Sequence, residues 1–215
     1  VTLPADARVG DTVATVATLP NGSTTTLTTV LTAADLPVAQ GGTASGAGPF
    51  TISQVIPTSA LTVDGTWSTR TTLTDVAGNT SAPVSGSFVL DTQPPSAPTV
   101  ALTEAPNGVN AAEAASAGGT PIVTTLPAVA KVGDTVSTVV TNPNGSTSTL
   151  TTVLTAADLP VSQGGTATGA GPFTISQVIP SAALTVDGAW TTRTTLTDTA
   201  GNTGAASDAG FTLDR

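Results

Sequence analysis

The chain has 215 residues, with 14 acids against 5 bases, no His and a formal net charge of -9. That balance argues against nucleic-acid binding by phosphate neutralisation. With Cys and Tyr also absent, it excludes disulfides, thiolate or imidazole metal sites and His-based acid–base chemistry. No run of apolar residues is long enough for a membrane-spanning helix in this segment.

Residues 1–92 align without a gap to residues 124–215, and 70 of the 92 pairs are identical. Serial duplication of this kind belongs to extended scaffolds more than to catalytic sites. Thr makes up 46 of the 215 residues, and its β-branch favours strands over helices. Residue 1 corresponds to Thr124, so the first copy is expected to lack its first strand and the connection after it. Two readings stand: the strand is truncated or disordered, or it is supplied by another molecule.

Asp91-Thr92-Gln93-Pro94-Pro95-Ser96-Ala97-Pro98 joins the copies, and its prolines discourage helix and stiffen the chain. The second copy then reads as seven strands. Strand A spans 98–102, followed by a connection over 103–120 in which 110–115 has a turn or two of helix. Strand B spans 122–126 and strand C 135–141. Asn142-Pro143-Asn144-Gly145 is a hairpin turn into strand D, 147–154. A long Gly-, Ala- and Pro-rich loop over 156–171 precedes strand E, 173–179. Strand F spans 189–196 after an Asp-Gly turn, and strand G spans 211–213. Seven short strands with polar turns predict a β-sandwich. Trp190, Phe173, Phe211 and Leu196 are its expected core anchors.

Several segments, in this order, resemble bacterial immunoglobulin-like domains of giant secreted adhesins and biofilm-matrix proteins. They are Phe88-Val89-Leu90-Asp91-Thr92-Gln93-Pro94-Pro95, Val109-Asn110-Ala111-Ala112-Glu113-Ala114, Val132-Gly133-Asp134-Thr135-Val136 and Thr197-Asp198-Thr199-Ala200-Gly201-Asn202-Thr203. The departure is length, with the excess lying at 159–165 and its twin 36–42. The resemblance implies an all-β chain of tandem immunoglobulin-like sandwiches of about seven strands. The boundaries would be a first domain at 1–91, a Pro-rich linker at 92–98 and a second domain at 99–215. It implies an extracellular array on a bacterial cell surface or in a biofilm matrix, with neighbouring repeats as partners and calcium at the junctions.

Strand direction gives a separate reason to look at the acids. Strands that alternate in direction bring the B–C and F–G turns to one pole. There Asp134, Asp198 and the linker's Asp91 would gather, with Asn202 offering an oxygen and Asp158 approaching. Carboxylates so placed repel unless a cation joins them, and calcium takes six to eight hard oxygens in flexible geometry. In the first copy the matching residues are Asp11, Asp75 and Asp35, without a linker acid. At the opposite pole the candidates are Glu113, Asp187 and Asp214, with Asp64 and Asp91 as twins. The plainer reading is turn chemistry: Asp-Gly turns at 64–65 and 187–188, and Asp198 and Asn202 capping the F–G turn.

No enzyme is expected. A carboxylate dyad of glycosidase type is conceivable only in short turns that occur twice. The reading is a structural extender. Its rivals are a filament or sheath subunit that self-associates by strand donation, and a polysaccharide-binding surface on the loops at 40–49 and 163–172.

Overall fold

The computed structural model describes residues 1–45, 48–103, 107–116 and 118–215. Parts of the 40–49 loop and of the 103–120 connection therefore lie outside the described residues. Two compact units emerge, Val1–Asp91 and Thr92–Arg215.

The second unit is a sandwich of two sheets. Thr99–Leu102 (β5), Thr120–Thr125 (β7) and Thr174–Ile179 (β10) form the smaller sheet, in the order β10-β7-β5. Val109–Asn110 (β6), Thr135–Thr141 (β8), Thr147–Val153 (β9), Gly188–Thr197 (β11) and Ser207–Asp214 (β12) form the larger, in the order β6-β12-β11-β8-β9. All pairings are antiparallel except that of β6 with β12, where Leu213 faces Val109 and Asp214 faces Asn110. The expected strands A to G are thus present, with G longer than expected. The fourth strand stays in the sheet of the third, because the 142–146 turn is a tight hairpin that folds β9 back on β8. A four-residue helix, Ala111–Ala114 (α1), sits where a helical turn is expected. The Asn110 side chain accepts from the Ala112 and Glu113 amides, and Glu113 Oε2 accepts from Asn110 N at 2.9 Å.

Period-two burial places Ile175, Gln177 and Ile179 inward on β10, and Trp190, Thr192, Thr194 and Leu196 inward on β11. Two apolar clusters fill the space between the sheets. The upper one comprises Leu126, Ala130, Val136, Leu154, Leu159, Ile175 and Leu196. The lower one surrounds Trp190, whose ring stacks on Phe211 with centroids 5.8 Å apart, and takes Leu102, Val109, Ala114 and Ile122 from the segment before Thr124. Phe173, expected in the core, is only half-buried.

Between the clusters runs a polar bolt that the sequence reading does not anticipate. Thr138 Oγ1 donates to Gln177 Oε1 at 2.6 Å, so the 2.8 Å contact between the Thr138 and Thr194 hydroxyls has Thr194 as donor. Gln177 Nε2 donates to Thr152 Oγ1 at 3.1 Å and to the Val136 carbonyl. One side chain of the small sheet thereby ties β8 and β9 directly and β11 through Thr138.

The excess length after β9 folds into two short 3-10 turns, Ala156–Asp158 and Val161–Gln163. Asp158 accepts from the Thr155 amide and hydroxyl. Leu159 is fully buried in the upper cluster, and Gln163 Nε2 donates to the carbonyls of Pro127 and Ala130. The insertion is a lid on one end of the sandwich. It turns so closely that a Cβ on Gly165 would lie 1.9 Å from the Leu159 carbonyl oxygen. Gly165→Ala should therefore cost about 2–3 kcal/mol through overpacking, readable as a lower urea midpoint of the second unit.

The first unit keeps only the larger sheet. Thr12–Thr18 (β1), Thr24–Val30 (β2), Gly65–Thr74 (β3) and Val84–Leu90 (β4) form a four-stranded antiparallel sheet in the order β2-β1-β3-β4. The matching upper cluster is present, built from Leu3, Ala7, Val13, Leu31, Leu36 and Ile52. Gln54 repeats the polar bolt with Thr15, Thr71 and Thr29. The loss exceeds the expected single strand, because the smaller sheet is reduced to a Thr2–Thr51 bridge. Thr51-Ile52-Ser53-Gln54-Val55-Ile56 is identical to β10 in sequence, yet is not a strand.

Candidate acidic pole of the second unit

The turn before β8 and the turn after β11 meet at one end of the second unit. A Cβ on Gly133 would lie 2.9 Å from Thr199 Cγ2, which measures how closely they abut. Asp134 stands in this contact, 1% exposed. Its Oδ2 accepts from the Lys131 amide at 2.8 Å, while its Oδ1 is buried with no hydrogen-bond partner. Burial raises the Asp134 pKa above 3.8; the Lys131 amide opposes this, and the negative charge of Asp198 adds to the rise. The Thr199 amide pulls weakly the other way but does not meet hydrogen-bond geometry at Oδ1. A buried carboxylate oxygen without a hydrogen-bond partner, on a group that feels the negative charge of Asp198 as well as the positive charge of Lys131, is a place where a cation lowers the energy.

Asp198 is occupied differently. Its Oδ1 accepts from the Ala200 and Asn202 amides, and its Oδ2 from Asn202 Nδ2, all at 2.9 Å. Desolvation pushes its pKa up, but the side-chain and amide hydrogen bonds from Asn202, Ala200 and Gly201 outweigh it and hold the group below 3.8. Here the turn-capping reading describes the contacts, although the carboxylate still presents its charge to Asp134. In the first unit Asp75 does the same with Asn79, whose side-chain and backbone bonds lower its pKa. Asp11 is buried there, and its Oδ2 accepts from the Arg8 amide at 2.8 Å. Asp35 accepts from Thr32, side chain and then backbone, which lowers its pKa.

The other candidates are dispersed. Asp91 is half-buried and ends the first unit, just past β4. Glu113 closes the cap on α1, Asp214 ends β12 beside Asn110, and Asp187 accepts from Arg215 Nε at 2.8 Å. Among the described residues no group of three or more His, Cys, Asp or Glu is drawn together as a metal cluster. The acids the fold does bring together are Asp134 and Asp198. The signal for Asp134 in the sequence is the Gly-Asp-Thr step into a strand. Its orphaned oxygen depends on a neighbouring turn 65 residues away in sequence.

The duplicated turns thus sit on one complete sandwich and on one unit with the larger sheet alone. The bacterial Ig-like domain family matches residues 13–92 and 131–215. The chain belongs to this family. As a pair of bacterial Ig-like repeats it is an all-β, non-catalytic structural module. Among solved structures, it is similar to a tetra-tandem repeat in the extending region of a large adhesion protein, at 22% identity and TM-score 0.39, over 97% of this chain and 43% of that one. It is also similar to a Ca2+-stabilized adhesin that helps an Antarctic bacterium reach out and bind ice, at 25% identity and TM-score 0.44, over 100% and 42%. A bacterial immunoglobulin-like domain from the M. primoryensis ice-binding adhesin aligns at 23% identity and TM-score 0.33, over 57% of this chain and 100% of that one. The bacterial Ig-like pair thus spans about two fifths of the first two structures. No curated protein matches. No helix among the described residues is long and apolar enough to cross a membrane.

Proposed function

We propose that the chain is a structural extender segment of a secreted bacterial adhesin or biofilm-matrix protein, with calcium bound at the Asp134–Asp198 pole of its second unit. Repeats of closely similar sequence and a Pro-rich link at 92–98 suit a spacer, and the link groups with the second unit from Thr92 onward, with Pro98 buried in it. Ser207 Oγ donates to the Pro98 carbonyl, and the Pro95 carbonyl lies against Gly204. The observation that carries the calcium reading is the buried, unpartnered Oδ1 of Asp134 beside a second carboxylate. Calcium there would supply the missing positive charge and accept a carbonyl or water as further ligand. Asn202 would add an oxygen. Bound calcium would then stiffen the passage from one repeat to the next.

Calorimetric titration with calcium should show one site, of about 0.1–1 mM as in extracellular modules, lost in Asp134→Asn. Small-angle scattering should show a stiffer particle with calcium than with chelator, and no such change in Asp134→Asn. Absence of calcium heat in the intact chain would sink the metal reading and leave a proline-stiffened spacer.

Asp134→Asn also tests the site without metal. A carboxyl whose folded pKa is raised stabilises the fold below its unfolded pKa and loses that contribution as pH rises through the folded value. In chelator at neutral pH the Asn variant should thus be at least as stable as the parent, and its advantage should vanish near pH ~4. Urea midpoints at the two pH values decide it. A marked loss at neutral pH would mean that Asp134 serves the fold and not a cation.

A further inference from the structure

We propose that β9 is a self-recognition edge, which pairs antiparallel with β9 of a second copy of the chain about a two-fold axis through Leu150. The proposal is independent of the calcium reading. β9 is the last strand of the larger sheet and is paired with β8 alone. Asn142 N donates to the Ser146 carbonyl at one end of this ladder, and Leu154 N donates to the Asp134 carbonyl at the other. Hydrogen-bonded pairs alternate along an antiparallel ladder, so the even-numbered residues of β9 bond to β8. The N–H and C=O groups of Thr147, Thr149, Thr151 and Val153 point the other way. Among the described residues these groups have no partner.

Edge strands are ordinarily blunted by charge, proline, a bulge or shortness. Thr147-Ser148-Thr149-Leu150-Thr151-Thr152-Val153 has no charge, no Pro and no Gly. Its 7 residues run in unbroken register with β8. The unit's other edges are guarded. On its far side the larger sheet ends in β6, of 2 residues. In the smaller sheet β5 has 4 residues, and β10 lies between Pro172 and Pro180. The unguarded edge recurs in the first unit, where β2 ends the sheet and differs from β9 only by Thr25 in place of Ser148.

The strand itself names the occupant. Read outward from Leu150 in both directions, it is nearly the same: Thr149 answers Thr151, Ser148 answers Thr152 and Thr147 answers Val153. In the two-fold register the free backbone groups of Thr149 meet those of Thr151 in the second copy, and those of Thr147 meet those of Val153. The exposed side chains then pair Thr with Thr and Thr with Val, combinations that fit a sheet surface. On the opposite face the two half-buried Leu150 side chains meet across the axis. Copies of net charge -9 repel one another. This edge and the adjoining 142–146 turn carry no acid, so a second copy can approach along it.

The test follows the intact chain by sedimentation and by hydrogen exchange read residue by residue over 147–153. Ser148 sets these fragments apart in mass from 24–30. Between dilute solution and about 1 mM the chain should associate, and the Thr149 and Thr151 amides should exchange about tenfold or more slowly. Thr149→Lys with Thr151→Lys sets like charges opposite one another in the two-fold register and should abolish that slowing. Thr149→Lys with Thr151→Glu sets opposite charges there and should restore it. Unchanged exchange in β8 and β11 shows that both variants keep the fold. A chain that stays monomeric to that concentration would overturn the proposal. So would association that leaves the Thr149 and Thr151 amides as fast as in the monomer, or equal protection in the two double variants.

Discussion

Trp190→Ala should destabilise the second unit by about 3–5 kcal/mol, the range for emptying a large aromatic site in a packed core. The ring is 4% exposed, stacks on Phe211 and donates from Nε1 to the Val186 carbonyl at 2.9 Å. With 3% aromatic residues in the chain, the stacked ring is Phe211, too small to fill the space an indole leaves. Urea unfolding followed by hydrogen exchange, fragment by fragment, should show the second unit's midpoint fall while the first unit's stays put. An unchanged midpoint in the second unit would mean that the lower cluster contributes little, against the packing described above.

Ile179→Ala and Ile56→Ala form the second test, because the two residues end the same hexapeptide. Ile179 is 1% exposed and lies in the lower cluster with Ile122 and Trp190. Its truncation should cost about 2–5 kcal/mol. Ile56 is only half-buried and lines a surface cavity of the first unit, so its truncation should cost less than about 1 kcal/mol. The same urea series reads both. Equal costs would show that the first unit packs Ile56 as fully as a completed sandwich does.

That pair also shows what the sequence could and could not tell. The strand pattern of the second unit was legible because alternation and turn chemistry are local: Asn-Pro-Asn-Gly closes a hairpin, and Ile175-Ser176-Gln177-Val178-Ile179 alternates sides. In the first unit the same letters do not form a strand, because among the described residues their sheet pairing stops at the Thr2–Thr51 bridge. Gln177 sat in plain view at an inward position, but its function as a bolt depends on Thr138, Thr194 and Thr152 arriving from three other strands. Of the acids, direction of travel alone was enough to bring Asp134 and Asp198 to one end. That Asp198 would be satisfied by its own turn while Asp134 kept a bare oxygen depends on hydrogen-bond geometry within 2.9 Å. No spacing rule reports such geometry.

The parallel pairing of β6 with β12 has a mechanical consequence. The segment entering the second unit runs along β5 and β6, and the segment leaving it is β12. A pull on the two ends drags β6 and β12 past one another lengthwise. Their hydrogen bonds, and those of β5 to β7, then resist together instead of parting one at a time from an exposed end. Resistance to such a pull is set by the rate of unfolding, not by equilibrium stability. A short stretch of two facing pairs, Leu213 with Val109 and Asp214 with Asn110, thereby becomes a latch whose strength depends on the direction from which it is tugged.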